Sequence, residues 1–245
     1  MQRNAREALV ANAGPTLRAK AFVRRVGGKT VSLLSKRQRQ QLVDIATEVR
    51  VAAGTVIYRQ ETPATSVYFN AAGVVKAYRD LPSGRRWVTA FLFPEDLFGL
   101  AENGVYVRTT QAVTPSILYR ADVDALRRTL RRDPELQYHF LCKVIHELRE
   151  AQRHTIVVGR RDAVGRLAMF LHQLDEHAWP RRKPGATDID VPMKRSDMAN
   201  YLGLSAEAVS RATRMLERRG LLRFTGRHRV EILDRRQFDR LVAKV

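Results

Sequence analysis

At 245 residues and 44% hydrophobic content, the chain is long enough for two modest domains and too apolar to be disordered throughout. Its 44 Lys and Arg against 25 Asp and Glu give a net charge of +19, which favours a polyanionic partner: nucleic acid, or less often an anionic membrane surface. One cysteine, Cys142, excludes an intrachain disulfide, and no apolar run of about 18 residues is present to span a bilayer. With no apolar signal core near residue 1, a cytoplasmic protein without a membrane partner is expected.

Residues 1–30 are basic, with Arg3, Arg6, Arg18, Lys20, Arg24, Arg25 and Lys29 against Glu7 alone, and read as an N-terminal arm or short helix. Residues 32–45 read as a helix that Ser35 caps, with Leu34, Leu42 and Ile45 on one apolar edge. From 47 to 121 the texture changes to short runs of β-branched and aromatic residues, broken by Gly54, Pro63, Gly73, Pro82-Ser83-Gly84 and Pro94-Glu95-Asp96. Strands at this spacing make a small barrel or sandwich, within a domain over 31–132.

Residues 123–130 read as a short helix, after which Asp133-Pro134 restarts the chain as a long helix reaching residue 158. Pro134 suits a first helical turn, where its missing N–H is no loss. Leu141, Val144, Leu148, Ala151, Thr155 and Val158 recur by threes and fours, the spacing of a coiled-coil seam, and Leu136, Phe140 and Ile145 form a second edge suited to packing on the same chain. Two apolar faces need two partners. The second is most simply the same helix of another subunit, so 133–160 is expected to form a homodimer, the alternative being a helix wholly inside a monomer. Residues 159–162 form a hinge, and Asp162 caps a helix over 163–176 whose Leu167, Phe170, Leu171 and Leu174 face inward. A Pro/Gly/Arg-rich loop over 177–188 follows, and a terminal helix over 235–242 packs Phe238 and Leu241.

The stretch 193–222 carries the chemistry. Met198, Ala199, Tyr201 and Leu202 recur at helical spacing and Gly203 ends that helix, having no Cβ to oppose a left-handed residue. Leu204 is buried in the turn, and Ser205 caps a second helix. Val209, Ala212, Met215 and Leu216 form its apolar stripe, while Glu207, Ser210, Arg211, Arg214 and Arg218 line the other side. The start of such a helix can enter a DNA major groove, where Arg takes guanine O6 and N7 together and Glu accepts from cytosine N4. A two-stranded wing follows: Leu221 to Phe224, a turn at Thr225-Gly226-Arg227-His228, and Val230 to Leu233. Arg195, Ser205, Arg214, Arg227 and His228 are placed for phosphates rather than bases. From residue 181 onward, 16 Lys and Arg against 8 Asp and Glu predict binding that weakens steeply with salt.

Over 162–232 the sequence resembles the winged-helix domain of the Crp/FNR family of bacterial transcription regulators, and Glu207-Ala208-Val209-Ser210-Arg211 is similar to the E-x-x-S-R run of its FNR and FixK branch. In the cyclic-AMP receptor branch an Arg precedes the Glu and a Gly replaces the Ser; here Ala206 and Ser210 stand there. The resemblance implies an α+β chain with a cyclic-nucleotide-binding-like β-roll, a long dimerisation helix and a winged helix-turn-helix domain over 161–245. It further implies that Glu207, Ser210 and Arg211 read a TTGA-type half-site in double-stranded DNA and that the bound dimer acts on RNA polymerase. In the roll, Gly73 and Ser83-Gly84 fall at matching points, whereas Gln60-Glu61 and Pro94-Glu95 occupy positions where a Gly is usual.

Sensors of the resembled family hold a cyclic nucleotide, a haem, an aromatic acid or nothing. The resemblance puts Leu100 where a cyclic-AMP pocket has its ribose-binding Glu, and Tyr106-Val107 where it has Arg-Ser for the phosphate; a gap would bring Arg108-Thr109 there instead. Leu100, Arg108 and Thr109 are thus the candidate effector pocket, and a cyclic-nucleotide-dependent regulator of the cyclic-AMP receptor type is the alternative reading. Cys142 alone cannot supply an iron–sulfur cluster, and haem, for which His139, His146 or His154 would be the axial ligand, is not expected. No cofactor or metal is therefore expected, and the effector is a small molecule of unidentified chemistry or none. Without a metal-ligand cluster, a Gly-rich phosphate loop or a G-x-S-x-G elbow, an enzyme is not expected either.

Overall fold

The computed structural model describes residues 23–26, 29–32, 34–94, 96–177, 187–226 and 228–243. Strands β1 (Val23–Val26) and β2 (Lys29–Ser32) pair antiparallel, so the expected arm closes in a hairpin; residues 1–22 lie outside the described residues. The sequence carries a signal for this in Gly27-Gly28 between two β-branched runs. Helix α1 (Lys36–Asp44) consequently starts at Lys36 rather than residue 32. Ser35 caps it by accepting from the Gln38 N–H at 3.2 Å, and the Gln38 side chain accepts from the Ser35 N–H at 3.0 Å.

The β-rich stretch folds as eight short strands. β3 (Ala46–Val51), β4 (Val56–Tyr58), β5 (Ser66–Ala72), β6 (Val75–Asp80), β7 (Arg86–Leu92), β8 (Leu97–Phe98), β9 (Thr109–Ala112) and β10 (Ser116–Asp122) form two antiparallel sheets, ordered β3-β10-β5-β8 and β4-β9-β6-β7. The break between β5 and β6 falls at Gly73, whose φ of +89° and close approach to the backbone of Pro115 and Ser116 leave no room for a Cβ. Between the sheets lies a core of Tyr68, Val75, Ala77, Leu92, Phe98 and Leu118. The alternate residues of β5, Val67 and Phe69, turn the other way, toward Leu42 of α1, Leu126 of α2 (Val123–Arg132) and Leu136 and Phe140 of α3 (Pro134–Arg160).

A third core joins the roll to the rest of the chain. β6 and β7 pair with a bulge, Ala77 opposing Ala90 while Tyr78 opposes Val88. The extra residue, Thr89, puts Val88 on the face that Phe91 and Phe93 also use. With Tyr78, these side chains enter a core containing Phe170 and Leu171 of α4 (Ala163–His177) and Met198, Tyr201 and Leu202 of α5 (Arg195–Leu202).

Helix α3 spans 27 residues. Asp133 caps it by accepting from the Leu136 N–H at 3.0 Å, with Pro134 in the first turn as the sequence predicts. Leu136, Phe140, Lys143, Glu147, Glu150, His154 and Val157 form its inward stripe. Ile145 is not on it: at 49% exposed it corrects the expected second edge, because five residues past Phe140 lies roughly 140° around the helix. Lys143 takes the inward place instead, its ammonium 2.7 Å from Glu147 and 3.4 Å from Asp96 of the roll.

Asp162 caps α4 through the Gly165 N–H at 2.7 Å. α6 (Ala206–Arg218) follows α5, and the chain ends its described part with α7 (Arg235–Ala243), where Phe238 is fully buried. The wing has three strands rather than two: β11 (Asp188–Asp190) adds to β13 (Arg229–Ile232), which pairs with β12 (Leu222–Phe224). Residues 178–186 of the predicted loop lie outside the described residues, and its last position, Asp188, opens β11. Among the described residues, no helix is long and apolar enough to cross a membrane.

Two left-handed positions predict opposite outcomes. Glu61, at φ 66°, is the one non-glycine with positive φ among the described residues, at the place where a Gly was the expected residue. Glu61→Gly removes a conformational cost of roughly 1–2 kcal/mol and adds part of it back as chain entropy, so denaturant unfolding should show a net gain of about 0.5–1 kcal/mol. Gly203, at φ +62°, has Val158 Cγ1 only 3.3 Å from where a Cβ would stand. Gly203→Ala should lose at least about 1–2 kcal/mol in the same measurement.

Candidate DNA-reading surface

The corner between α5 and α6 is built from local chemistry. The N–H groups of Gly203 and Leu204 both donate to the Ala199 carbonyl, closing α5 as a left-handed glycine allows. Arg166 of α4 reaches over this end, its Nη1 donating to the carbonyls of Leu202 at 3.1 Å and Gly203 at 3.3 Å, while its Nε donates to Arg161 at 2.8 Å. Carbonyls left free at a helix end are thereby satisfied by a fixed cation. Ser205 then caps α6, accepting from the Ala208 N–H at 3.1 Å. Leu204 is half-buried in the turn rather than fully enclosed.

Val209, Ala212 and Leu216 of α6 are buried, Met215 is half-buried, and Thr213 joins the buried set. On the opposite side Glu207, Arg211, Arg214 and Arg218 are exposed and Ser210 is partly so. The Glu207 carboxylate accepts from its own backbone N–H and from the Ser205 hydroxyl, and with the Arg211 guanidinium beside it these hold its pKa below the ordinary value. An ionised acceptor, a hydroxyl and a guanidinium thus sit along the outer side of the first two turns of one helix, a chemical set suited to base edges.

Arg195 and Ser205 are exposed at the starts of α5 and α6, and Arg214 is exposed on α6. His228 is exposed on the wing, but its Nδ1 lies 3.0 Å from the Val191 carbonyl, which leaves Nε2 as the nitrogen free to meet a phosphate. Arg227 lies outside the described residues. Arg223 pairs with Glu231 at 3.4 Å across the wing, and Arg229 with Asp190 at 3.8 Å.

The candidate effector residues do not converge. Leu100 lines a cavity of about 330 Å³ between the residue 100–104 loop and α2, whose lining includes neither Arg108 nor Thr109. Thr109 is buried, its hydroxyl accepting from the Gln60 N–H at 3.0 Å, and Arg108 approaches the Thr89 hydroxyl at 3.5 Å. Tyr106 fills the space nearby. Its ring stacks on Tyr58 at 3.8 Å, its hydroxyl donates to the Ser66 carbonyl at 2.7 Å, and burial pushes its pKa up to about 12. Of the histidines on α3, His154 stacks on Tyr201 at 4.0 Å and burial lowers its pKa, while His146 is exposed.

Sequence reasoning missed one element of this surface: the support behind it. Tyr78, Trp87 and Phe91 of the roll back the α5–α6 corner, with Trp87 Cη2 3.7 Å from the missing Cβ of Gly203 and the Phe91 ring 5.2 Å from Tyr201. The signal lay in VVKAY and WVTAFLF, runs too continuously apolar for strands with one wet face.

Known proteins match both halves. A family profile described as a Crp-like helix-turn-helix domain matches residues 165–241, and one described as a cyclic nucleotide-binding domain matches residues 48–133. The nitrogen fixation regulation protein FixK of Azorhizobium caulinodans is 31% identical over 207 residues, 84% of each chain. That of Rhizobium meliloti is 33% identical over 180 residues, 74% of this chain and 80% of that one. The solved structure of FixK2 from Bradyrhizobium japonicum superposes with a TM-score of 0.73 at 31% identity, covering 80% of this chain and 97% of that chain. With a β-roll, a long helix and a winged helix-turn-helix in the order those relatives share, the chain belongs to the Crp/FNR family of transcription regulators and is a DNA-binding regulator, not an enzyme.

Proposed function

We propose that the protein works as a homodimer that recognises a TTGA-type palindrome and, once bound, meets RNA polymerase to alter initiation. The observation that carries this reading is the outward row of Glu207, Ser210 and Arg211 on a helix whose other side is locked into a core. Arg195, Ser205, Arg214, Arg227 and His228 would take phosphates, which fix register without reading sequence.

Dimerisation is supported by α3. Leu141, Val144 and Leu148 are 54, 44 and 57% exposed and stand in a row with exposed Ala151 and Thr155, an apolar seam uncovered in the single chain. Val158 is half-buried toward Gly203 and would contribute less. Two reading helices related by a twofold axis would meet half-sites about 34 Å apart, one turn of DNA.

The reading needs no cofactor. A cyclic-nucleotide-dependent mechanism is the weaker alternative, because Tyr106, standing where the phosphate-binding Arg would be, is stacked and hydrogen-bonded into the roll.

Two measurements test these claims. Arg211→Ala should cost about 1–3 kcal/mol of affinity for a TTGA palindrome and relax selectivity at the base it reads. An equal loss on random duplex would make Arg211 a phosphate contact. Leu148→Glu places a charge in the seam, and light scattering should show the wild-type dimer become a monomer; a wild-type monomer at micromolar concentration would refute the dimer.

A further inference from the structure

The joint between the roll and the reading unit is built mainly on apolar side chains, and a buried ion pair sits among them. On the outer face of β6, Lys76 sits between buried Val74 and Tyr78, and its ammonium meets both carboxylate oxygens of Asp197 on α5, at 2.8 and 2.9 Å. Each side chain is only 11% exposed. The Tyr78 ring lies beside the pair, 5.8 Å from the Lys76 ammonium, with the Arg86 guanidinium 3.9 Å from its centroid. We propose that Lys76, a sensor residue, is a positioning residue for DNA reading, holding α5 and with it the reading helix at one place on the β6–β7 sheet.

Phe91 meets Phe170 at 5.6 Å and Tyr201 at 5.2 Å, and such contacts depend on area, so a small slide exchanges them for others of similar worth. A buried ion pair does not slide. Moving α5 along the sheet strands two desolvated charges, and an unpaired buried charge is far more costly than a lost apolar contact. Asp197 is rigidly tied to the reading row, because it lies in the first turn of α5, whose far end is closed at Gly203 and followed directly by the Ser205 cap of α6.

This inference rests on the dimeric reading above. If the α3 seam fixes one sensor against the other, the Lys76–Asp197 pair fixes each reading helix against its sensor, and the two together set the distance between reading heads. Lys76 then governs which half-site spacing the dimer accepts, without touching DNA.

The test uses the full chain and a set of palindromes whose central spacer varies by up to two base pairs, together with a duplex carrying a single half-site. Lys76→Met/Asp197→Leu removes both charges and leaves the joint filled, which keeps folding intact where a single substitution would strand a charge. This variant should bind the half-site duplex within about twofold of wild type while its discrimination between spacers falls on the order of tenfold, a coupling of ordinary size. The reversed pair, Lys76→Glu/Asp197→Lys, should recover discrimination. Wild-type discrimination in the Met/Leu variant overturns the proposal, as does a parallel loss of half-site affinity and thermal stability, which would make the pair merely structural. A wild-type protein with no spacer preference would instead take down the dimeric reading and this inference with it.

Discussion

Along Val75–Tyr78 of β6 and Val88–Leu92 of β7 neither face of the ribbon is left to water, and the rest of the molecule is arranged around that fact. Val75 and Ala77 face the roll interior, while Lys76 and Tyr78 on the same strand face the C-terminal unit. The bulge at Thr89 makes this possible on β7, because without the extra residue Val88 would share a face with Ala90 and Leu92 instead of Phe91. Sensor and reading unit therefore share a core, rather than meeting only through a hinge. Any strain in the sheet is delivered to α5 directly.

Helix α3 is the second link between the halves, and its inward stripe changes character along its length. At the N-terminal end Leu136 and Phe140 bury against the roll; further on, Lys143, Glu147, Glu150 and His154 take the same side. Lys143 is paired with Glu147 and Asp96 and His154 is stacked on Tyr201, and Val157 closes the stripe before the chain turns at Arg161. Over that stretch the outer row carries Val144, Leu148 and Ala151 and then the Thr155 hydroxyl, which donates to the Ala151 carbonyl.

How much of this was legible beforehand follows from how local each determinant is. The caps at Ser35, Asp162 and Ser205 and the stop at Gly203 were readable because each is a side chain or a missing Cβ acting within a few residues. The outward placement of Glu207, Arg211, Arg214 and Arg218 follows from helical period alone. What escaped is long-range. Asp197 reads as a favourable acid in the first turn of a helix, and nothing nearby announces a lysine 121 positions earlier as its partner. Likewise β11 ends a stretch with no strand signature and pairs with β13 beyond α5, α6 and β12, and Ile145 looks inward only if α3 is followed by composition instead of by angle. The effector residues failed to meet because alignment to a pocket assumes a register, and Tyr106 occupies that register with a ring of its own.

On the proposed reading a single helix ties these pieces to function: the Ser205 cap would present Glu207 at the groove, Arg211 would follow one turn later, and the β6–β7 sheet would hold both in place from behind. The most direct measurement is enrichment of bound sequences from a random DNA pool by the purified full-length protein at physiological salt. The account predicts recovery of an inverted repeat with TTGA-type arms at one fixed spacing. Recovery of DNA without any shared sequence would contradict it and reduce the +19 charge to non-specific attraction.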